Sequence, residues 1–313
     1  INKNSKIFIA GHNGMIGSAI IRKLKELKYK KIYFQNKKQL DLRNQNKVYK
    51  YINNIKPDAV ILAAAKVGGI KANNTFRGEF IFDNLSIQNN VIDASYKNGV
   101  KNLIFLGSSC IYPKNSKQPI KESYLLSNYL EKTNEPYAIA KIAGVNLCES
   151  YNIQYNVNYK CLMPCNAYGM NDNYDLNSSH FLPALIRKII DAINNDKDYI
   201  KIWGSGKTLR EVIYSDDIAD ACIFFLKKKT KESLINIGTD IEKSITEYAK
   251  FIMKHLGVNL KIIYEKKTLD GTFRKLLDVS LAKKYGWKYK TNLDEGLSNT
   301  INDYLQKYLI ENK

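Results

Sequence analysis

A glycine-rich turn that directly follows an apolar run constrains the fold of this chain more than any other feature. The apolar run is Lys6–Ala10, which predicts a short buried strand, and the following positions 11–17 read G-x-x-G-x-x-G. A helical pattern then continues through Leu24 and Leu27. Glycines at these positions let the backbone approach a pyrophosphate, which rests on the helix N-terminus. Strand, glycine turn and helix together predict a dinucleotide site of the Rossmann type.

Strand and helix patterns alternate over the first 165 residues. Further strands are predicted at residues 31–34, 58–65, 102–106 and 159–163, and long helices at about 79–98 and 137–155. After residue 165 the alternation is less regular, with helices expected at 181–193, 244–256 and 294–308 and strands at 200–203 and 234–238. The pattern predicts an α/β fold, with a Rossmann-type doubly wound parallel sheet and a smaller C-terminal α/β lobe packed on it. We expect residues 1–165 to form the dinucleotide-binding domain, with contributions from about 211–240, and residues 166–313 to form the lobe.

Composition and cysteine usage exclude several classes of protein. The chain has 313 residues, of which 44% are hydrophobic, yet it contains no run of 18 apolar residues, so no membrane span is expected. It runs directly into the first strand without a signal-peptide pattern. Its five cysteines form no C-x-x-C, and no further Cys or His pair completes a zinc pattern. We therefore expect a cytoplasmic protein with reduced thiols and no bound metal.

The formal net charge of +19 is a feature of many nucleic-acid-binding proteins. The lysines are spread over the whole chain, however, and residues 227–229 are the only run of three. A nucleic-acid footprint requires a clustered basic face. We therefore expect no nucleic-acid partner, and we assign the basic surface a role in attracting an anionic substrate.

A tyrosine and a lysine share one face of the helix predicted near residue 137. Pro136 marks the first turn of that helix, and Tyr137 and Lys141 are four residues apart. The ammonium group favours phenolate, so we expect it to lower the Tyr137 pKa from about 10 toward neutrality. Tyr137 could then protonate a carbonyl oxygen as hydride reaches its carbon. This spacing is common by chance, and the glycine turn is what supports the catalytic interpretation.

Polar residues follow the strand predicted at 102–106. After one glycine come Ser108, Ser109 and Cys110. Ligands of open α/β sheets bind beyond the carboxyl ends of the strands, so two hydroxyls and a thiol at this point predict a site. The alternative for Ser109 is that its hydroxyl only satisfies backbone groups at the strand end.

The end of the second strand bears on the choice between NAD and NADP. In NAD-selective folds an acidic residue there binds the ribose 2′-hydroxyl. This chain has Lys37 and Lys38 at that point and no carboxylate before Asp41. Lysines suit a 2′-phosphate, which predicts NADP(H) as the cofactor. The alternative is that these lysines belong only to an exposed basic loop without a role in cofactor binding.

Several stretches, taken in order, resemble the GDP-L-fucose synthase family of the extended short-chain dehydrogenases/reductases. They are GHNGMIGSAI at 11–20, LAAAKVGGIKANN at 62–74, FLGSSCIYPK at 105–114, NEPYAIAKIAG at 134–144, NSSH at 177–180, WGSG at 203–206 and RKLLDV at 274–279. The resemblance covers essentially the whole chain. It implies an NADPH-dependent enzyme that reduces the C4 ketone of a GDP-4-keto-6-deoxy sugar and epimerises C3 and C5. It also implies a homodimer that pairs the helices near 79–98 and 137–155.

The resemblance further implies roles for individual residues. Ser108, Tyr137 and Lys141 would form the reductase triad, and Cys110 and His180 the epimerase acid/base pair. Cofactor contacts are implied for Tyr137 and Lys141 and for Gly11, Gly14, Met15, Ile16, Gly17, Lys37, Asp41, Leu42, Ala63, Ala64, Ala65, Pro164, Asn166, Ala167 and His180. Contacts to the nucleotide sugar, mainly from the C-terminal lobe, are implied for Ser109, Asn166, Phe181, Lys188, Trp203, Arg210, Asp270 and Lys275.

Three of these residues have simpler structural interpretations when the family resemblance is set aside. Cys110 is then a small buried hydrophobe, His180 a satisfied loop histidine and Trp203 a core residue. The implied chemistry is nevertheless coherent, because a ketone acidifies its neighbouring C–H bonds. A modest lowering of the Cys110 pKa from about 8.5 would let this thiol act as a base.

The chain departs from the family pattern at a few positions. Asn13 and Lys37 stand where arginines are expected, and the loop at 167–171 lacks an expected larger apolar residue, a proline and a histidine. Because this loop lies near the sugar end of the implied site, a second function stays open. It is a C4-reductase without epimerase activity that acts on a GDP-6-deoxy-4-keto-heptose in surface-polysaccharide precursor synthesis.

Two further classes are considered. Dehydratases of the superfamily place Thr and a carboxylate after the strand serine, whereas this chain has Ser109 and Cys110, which argues against dehydration. A cofactor-bound scaffold without turnover would not need Ser108, Tyr137 and Lys141 together.

Overall fold

Strands and helices follow one another along the computed structural model, which describes residues 1–265 and 272–311. The strands are β1 (Lys6–Ala10), β2 (Lys31–Tyr33), β3 (Ala59–Leu62), β4 (Asn102–Leu106), β5 (Asn158–Pro164), β6 (Asn166–Tyr168), β7 (Tyr199–Trp203), β8 (Leu209–Tyr214), β9 (Leu234–Ile237), β10 (Glu242–Ser244), β11 (Lys261–Glu265) and β12 (Arg274–Lys275). The helices are α1 (Met15–Glu26), α2 (Gln45–Ile55), α3 (Ile70–Thr75), α4 (Arg77–Lys97), α5 (Glu135–Tyr155), α6 (Phe181–Asn194), α7 (Ser215–Lys227), α8 (Ile245–His255), α9 (Ser280–Lys284) and α10 (Leu293–Glu311).

The central sheet is parallel and runs in the order β2-β1-β3-β4-β5-β9. Its inner strands are apolar and buried along almost their whole length, as expected when helices cover both faces. Two groups of helices provide this cover, α1 with α7 and α4 with α2 and α5. The chain leaves β1 for β2 on one side and returns to β3 on the other. This creates a topological switch point between β1 and β3, where open α/β sheets bind ligands.

A smaller lobe is built around β8. This strand pairs in parallel with β6 and β12 and antiparallel with β10, and β7 pairs with β11 nearby. The apolar core of the lobe is formed largely by α6, α8 and α10 with β7. The larger core, around the central sheet, also includes side chains of α7, β9 and α9. The two cores therefore draw on interleaved parts of the chain, and the functional division at residue 165 remains a prediction.

The predicted fold class is confirmed. β1 and β4 have the predicted bounds, whereas β3 ends at Leu62 because the alanines that follow it turn into a cavity wall. The prediction did not include α2 and α7. The sequence of α2 carries a helical apolar period, with Val48 and Ile52 buried on one face, which the prediction overlooked, whereas α7 is buried on most sides, so its polar contrast is weak.

Within the described part of the chain, no helix combines the length and apolarity needed to cross a bilayer. Across the same residues, no three His, Cys, Asp or Glu side chains are grouped in a way that could hold a metal ion. The five cysteines are buried free thiols.

Candidate functional site

A large cavity of about 890 Å³ lies beyond the carboxyl ends of β1, β3, β4 and β5. Residues of α6, β7, β8 and β12 form its other side. All predicted site residues that the structure describes line it, namely Gly11, Gly14, Met15, Ile16, Gly17, Lys37, Asp41, Leu42, Ala63, Ala64, Ala65, Ser108, Ser109, Cys110, Tyr137, Lys141, Pro164, Asn166, Ala167, His180, Phe181, Lys188, Trp203, Arg210 and Lys275. Asp270 lies outside the described residues.

The turn at residues 11–17, which we call the glycine cradle, has no room for a side chain at Gly11 or Gly17. Gly11 has a φ of 97°, and a Cβ there would lie 2.5 Å from the backbone nitrogen of Ala64. A Cβ on Gly17 would collide with the Gly11 carbonyl oxygen. Gly14 caps α1, so the first backbone N–H groups of the helix meet no capping side chain. The close approach of backbone at the switch point and the open helix N-terminus fit a pyrophosphate.

The residues after β2 form one end of the cavity. Lys37, Asp41 and Leu42 line it, whereas Lys38 is exposed and lies outside the lining that the structure describes. The guanidinium of Arg43, which also lines the cavity, contacts both oxygens of Asp41. This hydrogen bonding lowers the pKa of Asp41 to about 2. The carboxyl group is therefore ionised at all physiological pH values.

Ser108, Tyr137 and Lys141 meet beyond the carboxyl end of β4. The Ser108 hydroxyl accepts a hydrogen bond from the Cys110 N–H at 3.4 Å, where a short 3-10 helix begins. Lys141 is buried in α5, and its ammonium donates to the Leu106 carbonyl at 2.8 Å. The same ammonium lies 5.8 Å from the centroid of the Tyr137 ring. A hydroxyl, a phenol and an ammonium therefore share one wall of the cavity.

The predicted direction of the Tyr137 pKa shift is wrong for the protein on its own, and the lowering that Cys110 would need to act as a base is not found. Burial raises the pKa of Tyr137 well above its ordinary value, although an ammonium lies nearby. Burial also raises the pKa of the Cys110 thiol, against the opposing charges of Lys275 and Lys141. The pKa of Lys141 is itself lowered by burial, to about 8. Removal from water disfavours each charged form, and here it outweighs the attraction between opposite charges.

His180 lies at the N-terminus of α6, in a loop that contacts the segment after β3. There the Gly69 N–H donates to the Ser178 carbonyl at 2.8 Å. His180 is exposed to the open cavity, yet the protein walls around it and the charge of Lys275 lower its pKa, so this histidine is neutral at pH 7. The Lys275 charge also acts on Cys110. The structure thus brings the predicted acid/base pair to the same region of the cavity.

Cations and one half-exposed indole line the side formed by the smaller lobe. The Lys188 ammonium donates to the Lys201 carbonyl at 2.9 Å and lies 4.9 Å from the Trp203 ring centroid. Trp203 is 48% exposed, so it is not a core residue. Arg210 and Lys275 stand opposite each other in the pairing of β8 and β12. This wall suits an anionic ligand that carries an aromatic group.

Several cavity residues that the prediction did not include carry unsatisfied oxygens. Among the described residues, Asn73 Oδ1, Asn134 Oδ1, Asp172 Oδ2 and Ser179 Oγ are buried without a hydrogen-bond partner, and all four residues line the cavity. Burial raises the pKa of Asp172 to about 7. A buried oxygen without a partner is costly, so these atoms indicate a ligand rich in hydrogen-bonding groups. Asn73, Asn134 and Ser179 lie within stretches quoted for the family resemblance, which was the available signal.

Comparison with known proteins gives a consistent result. The sequence profile of the NAD dependent epimerase/dehydratase family matches residues 7–238. GDP-L-fucose synthase 1 of Arabidopsis thaliana is 47% identical over 305 residues, which are 97% of this chain and 94% of that protein. The crystal structure of a GDP-6-OMe-4-keto-L-xylo-heptose reductase from C. jejuni matches with a TM-score of 0.91 and 35% identity, covering 98% of this chain and 99% of that one. A GDP-mannoheptose C4 reductase from Campylobacter jejuni, with NADP bound, matches with a TM-score of 0.88 and 38% identity, covering 97% and 99%.

The relatives match over nearly the whole chain, and the family profile, which covers residues 7–238, includes the glycine cradle and the Tyr137–Lys141 helix face. The resemblance drawn from the sequence is therefore confirmed. The chain belongs to the NAD dependent epimerase/dehydratase family, in its GDP-L-fucose synthase group.

Proposed function

We propose that the protein reduces the C4 ketone of a GDP-4-keto-6-deoxy sugar with NADPH, and that it also epimerises C3 and C5 of that sugar. The observation that carries this proposal is the single cavity that holds the glycine cradle together with Ser108, Tyr137 and Lys141. Relatives named GDP-L-fucose synthase and structures named GDP-heptose reductase support a GDP-sugar as the substrate class.

The reductive step uses three side chains of the wall beyond β4. NADPH, when bound, supplies the hydride, and the glycine cradle fits its pyrophosphate. The Tyr137 phenol donates a proton to the sugar C4 oxygen, and its raised pKa keeps that proton in place at neutral pH. The Ser108 hydroxyl orients the same oxygen. Lys141 is an ammonium below a pKa of about 8 and places positive charge beside the developing alkoxide.

Cys110 and His180 are assigned to proton exchange at C3 and C5. The C4 ketone acidifies the C–H bonds on either side of it, so one carbonyl serves both proton exchange and reduction. Burial keeps the Cys110 thiol protonated, and the surrounding cavity walls with the charge of Lys275 keep His180 neutral. The cavity therefore offers one proton donor and one proton acceptor, which is the pair that an epimerisation requires.

The smaller lobe is proposed to hold the nucleotide part of the substrate. Lys188, Arg210 and Lys275 supply positive charge for the diphosphate, and the half-exposed Trp203 offers a face for the guanine or ribose. Residues 166–313 would thus serve mainly the nucleotide sugar, and residues 1–165, with about 211–240, mainly the cofactor. Asp270 is retained as a proposed substrate contact from the family resemblance alone.

A second candidate is a C4-reductase that receives an already epimerised GDP-6-deoxy-4-keto-heptose. Two observations favour it. The structures of relatives include GDP-heptose reductases at 35% and 38% identity, and the chain departs from the family pattern at residues 167–171. Of this loop, Ala167 and Asn171 line the cavity, so its composition can affect which sugar fits.

We also propose that the protein acts in the cytoplasm, as a homodimer, in the synthesis of precursors for a surface polysaccharide. The helices α4 and α5 pack together and expose apolar side chains, including Phe82 and Ile153, which supports a second copy as the partner. A GDP-sugar reductase fits a pathway that builds polysaccharide precursors. No nucleic-acid partner is proposed.

The proposal is tested by incubating the protein with NADPH and a panel of GDP-4-keto-6-deoxy hexoses and heptoses, with NMR of the products. Loss of NADPH absorbance with at least one substrate is expected. Tyr137→Phe should lower turnover by about 10²–10⁴-fold while retaining cofactor binding, because general acid catalysis typically contributes that much. Tyr129→Phe, at a site that is 89% exposed, is the matched control. Tight cofactor binding without NADPH oxidation in the presence of any substrate would instead favour a cofactor-bound scaffold without turnover.

A further inference from the structure

Glu211 is an acid of the smaller lobe that has no role in the proposed reaction. It lies on β8 directly after Arg210, and it is fully buried. Successive side chains of a strand point to opposite faces, so the Glu211 carboxylate points away from the cavity that Arg210 lines. Burying a charge is costly unless hydrogen bonds compensate for it, so the partners of this carboxylate indicate what it does.

Three main-chain N–H groups donate to the Glu211 carboxylate. Thr239 and Asp240 donate to Oε1 at 2.6 Å and 2.8 Å, and Leu277 donates to Oε2 at 3.0 Å. Burial raises the pKa of this carboxyl group to about 7, while the three N–H groups act in the opposite direction. Because every one of these partners is a donor, the contacts fit the ionised form, in which both oxygens only accept.

The three donors come from two different parts of the fold. Thr239 and Asp240 follow β9, the edge strand of the central sheet, whereas Leu277 follows β12, which pairs with β8 in the smaller lobe. The carboxylate therefore joins the central sheet to two strands of the lobe. Gly238 shows how closely it fits, because a Cβ at that position would lie 2.2 Å from Glu211 Oε1.

The strand that precedes Leu277 carries a cation of the cavity wall. β12 consists of Arg274 and Lys275 alone, so its pairing with β8 supplies few hydrogen bonds to hold it. Lys275 stands opposite Arg210 in this pairing, and both side chains line the cavity. Glu211 follows Arg210 on one strand and binds the backbone just after Lys275 on the other. One carboxylate therefore fixes the backbone on both sides of this cation pair.

We propose that Glu211 is a positioning residue that holds Arg210 and Lys275 at the spacing needed to bind the diphosphate of the nucleotide sugar. This inference rests on the proposed function, in which these two cations meet the diphosphate. Glu211 is absent from the cavity lining over residues 1–265 and 272–311, so it acts through the cations and not by contact with the ligand. Its loss should weaken binding of the nucleotide sugar and spare the glycine cradle, which other elements build.

The test compares Glu211→Gln with wild type at about pH 8, where the acid is ionised. Glutamine has the same shape but only one accepting oxygen, so part of the donor set meets an NH₂ group. Glu122→Gln is the matched control. Glu122 Oε1 accepts from the Asn236 N–H of β9 at 2.9 Å, and within the described ranges Glu122 makes no hydrogen bond to β8 or β12. Gly238→Ala is a second variant, which keeps the acid and displaces its carboxylate.

The readout is the dissociation constant of GDP-mannose and of NADP⁺, each measured separately by titration calorimetry. GDP-mannose carries the diphosphate and has no ketone to reduce. Glu211→Gln and Gly238→Ala should weaken GDP-mannose binding about tenfold or more, because charge-assisted contacts to phosphate depend on their geometry. Both variants should keep the NADP⁺ constant within about twofold of wild type, and Glu122→Gln should keep both constants within about twofold.

A double-mutant cycle tests whether Glu211 acts through the cation pair. In a Lys275→Met background, Glu211→Gln should weaken GDP-mannose binding by much less than it does in wild type, since one of the cations that it positions is already gone. An equal loss in both backgrounds would contradict action through Lys275.

The other contrary results differ in what they overturn. If wild type does not bind GDP-mannose, the GDP-sugar class of the proposed function is itself contradicted. If wild type binds and both Glu211→Gln and Gly238→Ala bind equally well, only the role of Glu211 is refuted. An equal loss of NADP⁺ binding, or failure of both variants to fold, would assign Glu211 to the stability of the whole fold and overturn the inference.

Discussion

At the scale of the residue, enclosure governs the protonation of the side chains proposed for catalysis. Tyr137 and Cys110 keep their protons because burial raises the pKa of each. His180, although exposed to the open cavity, is kept neutral by the protein walls around it together with the charge of Lys275. Lys141 is the group whose lowered pKa, about 8, falls where enzyme assays are usually run. Its titration should therefore be visible in the kinetics.

We predict that kcat/KM for reduction falls as the pH rises through about 8. The ammonium of Lys141 is present below its pKa of about 8 and is lost above it, whereas Tyr137 stays a phenol on both sides. Because kcat/KM reports the free enzyme, it should be measured between about pH 6 and about pH 10. A profile that stays flat or rises across that range would show that the charge of Lys141 does not limit the reaction.

We predict that Cys110→Ser slows proton exchange more than it slows reduction of an epimerised substrate. The hydroxyl of serine is a much weaker acid than the thiol, while Ser108 and Tyr137 remain in place. The measurement is deuterium incorporation at C3 or C5 of a GDP-4-keto sugar in D₂O with oxidised cofactor. His180 variants should lose both activities. If wild type incorporates no deuterium with any hexose or heptose substrate, the C4-reductase without epimerase activity is favoured.

At the scale of the element, strand β5 carries a lysine inside the sheet. Lys160 is 2% exposed, its ammonium donates to Asn158 Oδ1 at 2.8 Å, and burial lowers its pKa to about 8. Between that value and the ordinary lysine pKa of about 10.4 the unfolded chain binds more protons, so stability rises with pH through this window. Lys160→Met should raise the free energy of unfolding at pH 7 by about 1–3 kcal/mol. It should also remove the part of the increase in stability with pH that comes from Lys160.

Denaturant unfolding of wild type and Lys160→Met, near pH 7 and again near pH 10, tests this expectation. Lys50→Met, at an exposed position of α2, is the matched control and should change stability little. A Lys160→Met protein that is less stable than wild type near pH 7 would mean that the hydrogen bond to Asn158 outweighs the cost of burying the charge.

The elements that could be predicted are those whose pattern is local. β1, β4 and α5 follow from apolar runs and a Pro-marked helix start, so their predicted bounds lie within a few residues of the observed ones. Short strands such as β10 and β12 hold only two or three residues and exist because β8 lies beside them. Their formation depends on tertiary packing, which no local pattern encodes.

The residues of the site also divide into those that the sequence could predict and those that depend on tertiary packing. Residues at the carboxyl ends of strands could be predicted to share one cavity, because the topology of a parallel sheet brings those ends together. The directions of the Tyr137 and Cys110 pKa shifts could not, since spacing along a helix does not reveal how deeply its face is enclosed. Arg43 was also missed, because its contact with Asp83 joins positions 40 residues apart in the chain.

At the scale of the whole molecule, we predict a homodimer formed through α4 and α5. Phe82 on α4 and Ile153 on α5 are 68% and 81% exposed, which is unusual for side chains of this size unless a partner covers them. Light scattering should give twice the 35.9 kDa mass of one chain. Phe82→Glu with Ile153→Glu should lower that mass toward one chain. A wild-type mass near 35.9 kDa at assay concentration would contradict the dimer.

The central claim is that a hydride reaches C4 of a GDP-linked 4-keto sugar in the cavity that holds Ser108, Tyr137 and Lys141. The most direct measurement uses NADPH in which both hydrogens at C4 of the nicotinamide are deuterium, with NMR of the sugar product. Deuterium at C4 of the sugar is expected with wild type, and its appearance should be slowed about 10²–10⁴-fold in Tyr137→Phe. A sugar product without deuterium, or deuterium transfer at an unchanged rate in Tyr137→Phe, would contradict the account.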